Sequence, residues 1–410
     1  MTIVLWDWLG FAIRWVHVIT GIAWIGSSFY FIALDLGLRK SDHLADGVDG
    51  EAWQVHGGGF YRMQKYLVAP PELPSHLTWF KWESYATWLS GFALLAIVYY
   101  LGAELFLIDR SVLDIPVWGA VLISIAGLSA GWIFYDLLCR SALGKNDTAL
   151  LAILFVFIVA AGWGFTQVFS GRGAFVHIGA LIATIMTANV FFVIIPNQKI
   201  VVADLIAGRS PDQKLGAQAK QRSLHNNYLT LPVLFLMISA HYPLAFATRW
   251  NWVIAALVLV IGAVIRHFFN SMHAGKGKPW WVWGLAGALF AVIVWLSTFF
   301  DQRRDVDEAS MAGPDAVTTP SPAFQAARDV VATRCSMCHA REPLWAGLLV
   351  APKGVLLESD GDIARQARAI ELQAVRSRAM PPGNITQMTP EERQVLAVWL
   401  GVAGHAAAGQ

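Results

Sequence analysis

The sequence predicts an all-α protein: a polytopic eight-helix transmembrane bundle followed by a small soluble helical domain. Three observations lead there. Hydrophobic residues make up 56% of the 410 and charged residues only 14%, against about 25% charged in ordinary soluble domains. The first three hundred residues contain eight long stretches free of Asp, Glu, Lys and Arg. The remainder is polar and carries short amphipathic patterns. Disorder, a disulfide scaffold and an ordinary cytosolic enzyme are disfavoured together. A formal charge of +2 gives no reason to expect a nucleic-acid partner.

The uncharged stretches are 15–34, 84–103, 115–135, 148–171, 173–198, 223–248, 250–265 and 279–300. A bilayer core needs roughly 20 apolar residues in helix, which these windows approach or exceed. The seventh is the shortest, and His267, Phe268 and Phe269 beyond Arg266 extend it. The opening MTIVLWDWLGF has no basic segment and no small-residue cleavage site, so it starts a retained first helix. A barrel is excluded because the runs are too long and do not alternate. Loops 35–83, 136–147, 196–228 and 266–279 carry fifteen Lys and Arg, and the alternate loops three. That bias places the basic loops in the cytoplasm, and the N-terminus and C-terminal tail outside.

Two cytoplasmic loops are more than linkers. Loop 35–83 is long for a structureless connection. Its glycines 57–59 permit close backbone approach, and His56, Arg62, Gln64 and Lys65 offer groups for a planar anion. Trp79, Phe80 and Trp82 read as an interfacial belt. Loop 196–228 reads as an interfacial helix, a turn at Arg209–Pro211 and a second helix entering the membrane.

Residues 1–300 therefore form the membrane domain, 301–322 a polar, Pro-containing linker, and 323–410 the soluble domain. The last begins with FQAARDVVATRC and ends with TPEERQVLAVWLGVAG. Thr389 and Glu392 there have the spacing of a capping box, with Met388 as its staple. Between them lies CSMCH, the c-type haem attachment pattern: Cys335 and Cys338 bond the vinyl groups and His339 faces the iron. Zinc would need more soft ligands, and the only other cysteine, Cys139, sits in the apolar part as a small filler. The opposite ligand is Met380, Met388 or His405. Met380, in AMPPGN, is preferred because prolines hold that loop extended. The tail reads as a class I-like cytochrome c domain with one covalent haem c, its iron held by His339 and Met380. Such a domain is an electron exit and not the catalyst.

Ionisable groups inside spans are expensive and default to functional candidates. Arg14, His17 and His177 belong to the outer half, with His241, Glu104 and Gln167 nearby; Asp136, His225 and His267 belong to the inner half, with Arg266, His56, His273, Thr187 and Asn189. Arg266 and His241, close to span ends, read as side chains that snorkel to the headgroups. The outer group is nearer the electron exit and the inner group nearer a cytoplasmic substrate. Histidines on two helices, His17 and His177, are also what an additional b-type haem would require.

The opening WLGFAIRWVHVITGIAWIGSSFYF, the loop GEAWQVHGGGFYRMQKY, the eight spans and the CSMCH tail followed by MPP together resemble one family. It is the bacterial membrane-bound, cytochrome-c-linked urate oxidases, also called urate hydroxylases. The resemblance implies oxidation of urate by water to 5-hydroxyisourate in purine catabolism, without hydrogen peroxide. It also implies a bacterial inner-membrane location and a terminal oxidase or soluble cytochrome c as electron acceptor, with lipid as the other partner. An anionic planar purine calls for Arg or Lys, amide side chains for its edges, aromatic faces and a His or Asp base. The residues leave two alternatives: a quinol or other small-molecule dehydrogenase subunit with a fused cytochrome, and a non-catalytic membrane anchor or assembly subunit carrying one.

Overall fold

A computed structural model describes residues 2–66, 70, 74–110, 112–246, 248–298, 321–345, 348, 351–352 and 355–402. The expected linker over most of its length, and His405, lie outside the described residues. The chain is mostly helical, and each uncharged window falls on a helical segment. These are α1 (Thr2–Gly37), α2 (Trp82–Leu94), α4 (Val117–Arg140), α5 (Asp147–Thr166), α6 (Gly171–Ala188), α8 (Gln213–Ile238), α9 (Asn251–His273) and α10 (Trp281–Thr298). The short α3 (Ala103–Phe106) follows α2, and α7 (Ile195–Ile206) continues α6. Five of the described helical segments are long and apolar enough to cross a membrane: Trp8–Gly37, Val117–Arg140, Asp147–Thr166, Gly171–Ile206 and Asn251–His273.

Local chemistry sets the boundaries. Asn146 caps α5 by accepting from the Ala149 amide, and Ser170 caps α6 by accepting from Gly173. Pro196 has no amide hydrogen, and the chain enters it through a wide π turn at Asn189–Ile194 that joins α6 to α7. Asp212 caps α8 ten residues before the uncharged window begins. The helix therefore enters the bundle with its polar half, a start that a search for charge-free stretches does not see.

Helix α6 is central: Phe175, Ile178, Leu181, Ile182 and Ile185 are fully buried among α4, α5 and α8. Helix α1 is peripheral. Its Trp8, Phe11 and Trp15 are largely exposed, an apolar face suited to hydrocarbon.

Loop 35–83 contains an antiparallel hairpin, β1 (Val48–His56) and β2 (Gly59–Tyr66), a feature not expected from the pattern of uncharged windows. Gly57 and Gly58 form its two-residue turn with φ of 59° and 79°, so these glycines serve the turn, with no neighbouring atom close to where a Cβ would stand. One hairpin face meets α1, where Tyr30 donates to Gln54 Oε1 at 2.8 Å and Lys65 pairs with Asp35.

The C-terminal segment has its own apolar cluster. α11 (Pro322–Arg334) packs on α14 (Pro390–Trp399), with the Phe324 and Trp399 rings edge-to-face at 5.6 Å. The short α12 (Asp360–Arg365) and α13 (Ala367–Ile370) close the cluster through Ile363 and Ile370. The expected capping box is present at Thr389 and Glu392, with Met388 buried beneath it.

Candidate functional site

Polar groups gather at four places, and their hydrogen bonds decide what each can do. The C-terminal motif comes first. Helix α11 ends at Arg334, and the following turn carries Cys335, Cys338 and His339. His339 Nδ1 lies 3.0 Å from the Val355 carbonyl oxygen. A carbonyl only accepts, so Nδ1 carries the hydrogen and the Nε2 lone pair is left for a metal. Both cysteines are free thiols, and burial pushes Cys335 up to about 12. Across the segment, the buried Arg393 donates to the Met380 carbonyl at 2.9 Å, to Asn384 Oδ1 at 3.2 Å and to the Ala374 carbonyl. Burial lowers Arg393 to about 10, yet it stays a cation and pins the Met380 loop. The buried Trp399 indole N–H has no hydrogen-bond partner among the described residues. Two thiols, a pre-oriented imidazole, a thioether on a tethered loop and a spare donor fit a covalently bound haem.

That loop also touches the apolar part of the chain. Gly383, three residues past Met380, adopts φ +56°, and a Cβ there would stand 2.5 Å from the Ile108 carbonyl oxygen and 3.0 Å from that of Glu104. Glu104, Ile108, Arg110, Gly383, Ile385 and Gln387 line a cavity of about 350 Å³ at this junction. The C-terminal segment is thus seated on the loop after α3, which the charge count places outside.

The outer histidines do not meet one network. His177 is fully buried; Nδ1 donates to the Gly173 carbonyl at 2.7 Å and Nε2 accepts from Ser124 at 2.7 Å. Tyr100 completes that chain at 2.8 Å from Ser124, so both nitrogens of His177 are engaged by protein groups. His17 Nδ1 donates to the Thr87 carbonyl at 2.9 Å, fastening α1 to α2, and its Nε2 has no hydrogen bond among the described residues. Arg14 is exposed on α1.

The inner group is assembled in part. Asp136 on α4 sits between Arg222 of α8 at 2.8 Å and Arg140 at 2.7 Å. Arg222 is only 3% exposed, lies over the Tyr135 ring, and donates to Asn189 Oδ1 at 3.3 Å. Asn189 in turn donates to Asn226 at 2.9 Å and to the Tyr135 hydroxyl at 3.1 Å, which leaves the Tyr135 O–H to donate to His225 Nδ1 at 2.8 Å. Trp132 and Phe192 stack at its edge. Asp136 and His225 therefore share one network, whereas His267 is exposed beside Ser271 and His56 is exposed at the hairpin turn. The cations of the hairpin are spent on carboxylates, Arg62 on Glu51 at 2.6 Å and Lys65 on Asp35.

The fourth place is Arg266 of α9. It does not snorkel: it is 4% exposed and lies over the Phe29 ring of α1 at 3.9 Å. Its Nε donates to Asn227 Oδ1 at 3.2 Å and its Nη2 to Asn270 Oδ1 at 3.1 Å. Arg222 and Arg266 both entered the cytoplasmic loop count, and both are interior; thirteen basic residues against three still give the same sidedness. Arg222, Tyr135, Asn226 and Asn227 were not among the expected site residues. The available signal was the run His225, Asn226, Asn227 opening a window that should be apolar, with Arg222 one turn earlier.

The family described as Urate oxidase N-terminal matches residues 3–297, the whole helical part up to the end of α10. No curated protein and no solved structure matches the chain.

Proposed function

This chain belongs to the urate oxidase N-terminal family, and we propose that it oxidises urate with water to 5-hydroxyisourate and passes the electrons to its own C-terminal segment. Family membership carries urate-related oxidoreductase activity in general terms; the cytochrome-linked route is our reading. The reaction balances as urate plus water giving 5-hydroxyisourate, two protons and two electrons, so no oxygen is consumed and no peroxide forms.

One observation carries the reading: the tail that holds CSMCH and Met380 is seated, through Gly383, on the family-matched helical part. Cys335 and Cys338 would hold the haem covalently, and His339 and Met380 would ligate its iron. When bound, that group supplies a one-electron acceptor whose potential is raised by the thioether. The protein's residues do the rest. The Val355 carbonyl fixes the His339 ring, and Arg393 fixes the Met380 loop.

On the substrate side the geometry favours the inner cluster over Arg14, His17 and His177. The His225 Nδ1 lone pair accepts from Tyr135, so the Tyr135–His225 pair, with the phenol as relay, is the candidate acceptor for a released proton, and Asp136 with Arg222 and Arg140 keeps a net positive charge around it. The long apolar helices and the basic-loop bias support a multi-pass protein of a bacterial inner membrane with its tail outside, the side on which c-type haem is attached.

The test uses purified full-length protein with urate and an oxidised soluble cytochrome c in the absence of oxygen. The expected outcome is 5-hydroxyisourate labelled from ¹⁸O-water, with two acceptor molecules reduced per urate. Reduction by a quinol and none by urate would replace this reading with the quinol-dehydrogenase one.

A further inference from the structure

The two interior arginines differ in one respect that matters inside a membrane. Arg222 has a carboxylate at 2.8 Å. Arg266 has none among the described residues: its hydrogen bonds go to two neutral amides, and its faces to Phe29 and Phe269. An interior cation without a counter-ion costs several kcal/mol even after relaxation, a penalty that only an anion repays in full.

The surrounding amides are arranged for an additional ligand. Asn227 is fully buried, and its Oδ1 accepts from both Arg266 Nε and Asn270 Nδ2, the latter at 3.1 Å. Two donors converging on that oxygen fix the orientation of the amide, so Nδ2 points away from them. That Nδ2 is buried and has no hydrogen-bond partner among the described residues. The Arg266 Nη1 group also donates to no described protein group. Arg266, Asn270 and His273 fall at positions i, i+4 and i+7, one face of α9. The His273 Nδ1 is likewise buried without a partner among the described residues, and the His273 carbonyl accepts from Arg39, a second cation at the cytoplasmic end, at 3.3 Å.

We propose that Arg266, with Asn227 and Phe29, forms the binding site for a planar heterocyclic anion entering from the cytoplasmic side, Arg266 supplying the charge and Asn227 Nδ2 a hydrogen bond to the ring edge. The assignment rests on the urate reading only for the identity of that anion. It makes Arg222 and Asp136 the framework on the other face of α8, and Arg266 the group that touches substrate.

The experiment measures equilibrium binding of radiolabelled urate to detergent-purified full-length protein, chemically reduced in advance so that no turnover occurs, alongside its melting temperature. Asn227→Asp is the decisive variant, because it places a carboxylate of the same shape beside Arg266. We expect the melting temperature to hold or rise while urate binding falls at least about tenfold, the carboxylate occupying the place of the ligand. Arg266→Gln is expected to weaken binding by about tenfold to a hundredfold and Arg266→Lys by less, since the charge is kept but the planar fork is lost. Unchanged binding in Asn227→Asp and Arg266→Gln would overturn the site and leave the urate reading untouched. A lowered melting temperature in Asn227→Asp would overturn it too, by showing that the cation was not short of an anion. If wild type fails to bind urate but binds xanthine or another planar anion, and Asn227→Asp abolishes that, the site stands and the urate reading falls.

Discussion

The proposed haem site of the C-terminal segment draws on five consecutive residues, CSMCH, and on Met380 as its further proposed ligand, on a loop held by Arg393. The helical part assembles its chemistry from α1, α4, α6, α8 and α9, and residues that meet there can lie far apart in sequence, ninety positions for Tyr135 and His225 and more for Phe29 and Arg266. The difference follows from what each site must do. Covalent attachment needs two thiols and an imidazole within one turn of chain, so spacing along the sequence is the chemistry. A polar cluster inside a bundle needs groups from several helices, because each helix presents only one narrow face to the interior.

This contrast can be broken from either side. The largest expected effect is on the contiguous site: replacing Cys335 and Cys338 together with Ser should abolish covalent haem, read as a blank pyridine haemochrome assay. Urate-driven electron exit should vanish with it while the helical part stays folded. Retention of covalent haem would mean that the motif is not the attachment point.

In the dispersed site, Arg222→Met should destabilise the protein by about 1–3 kcal/mol, because Asp136 keeps Arg140 but loses its buried charged hydrogen-bond donor. The double variant Arg222→Met, Asp136→Leu should recover most of that loss, measured by thermal unfolding in detergent. No recovery would mean that the ion pair is not what Arg222 contributes.

The junction between the two regions is tested by Gly383→Val, which forces atoms into the Ile108 and Glu104 carbonyls. It should slow urate-driven reduction of the haem by about tenfold or more, with reduction by a small chemical reductant unchanged. Equal slowing by both routes would point to damage at the haem site itself. The smallest effect is expected at Thr389→Ala, about 1 kcal/mol of stability from the lost cap of α14.

The helices of the apolar part were legible because charge-free windows are what a bilayer demands. The start of α8 was legible from the turn at Arg209–Pro211, but the interior role of its polar first half was not. Arg222 looks like a loop charge until Asp136, eighty-six residues earlier, is found against it. The reading of Arg266 as a snorkelling side chain failed for a related reason: its depth is set by the Phe29 ring and by Asn227, contacts that no local pattern announces. The hairpin was within reach, since two glycines between segments of alternating character are a turn signal. The histidine pair His17 and His177 shows the converse. Their matching depth suggested a shared role, but His177 spends both nitrogens on Gly173 and Ser124.

The central claim is that electrons taken from urate in the helical part reach the haem held at Cys335, Cys338, His339 and Met380. The most direct measurement is the haem c absorption of the purified oxidised protein, followed by stopped flow after anaerobic addition of urate with no other acceptor present. The account predicts the α-band of reduced haem c together with 5-hydroxyisourate; a haem that stays oxidised under urate, in protein that a chemical reductant fully reduces, would contradict it.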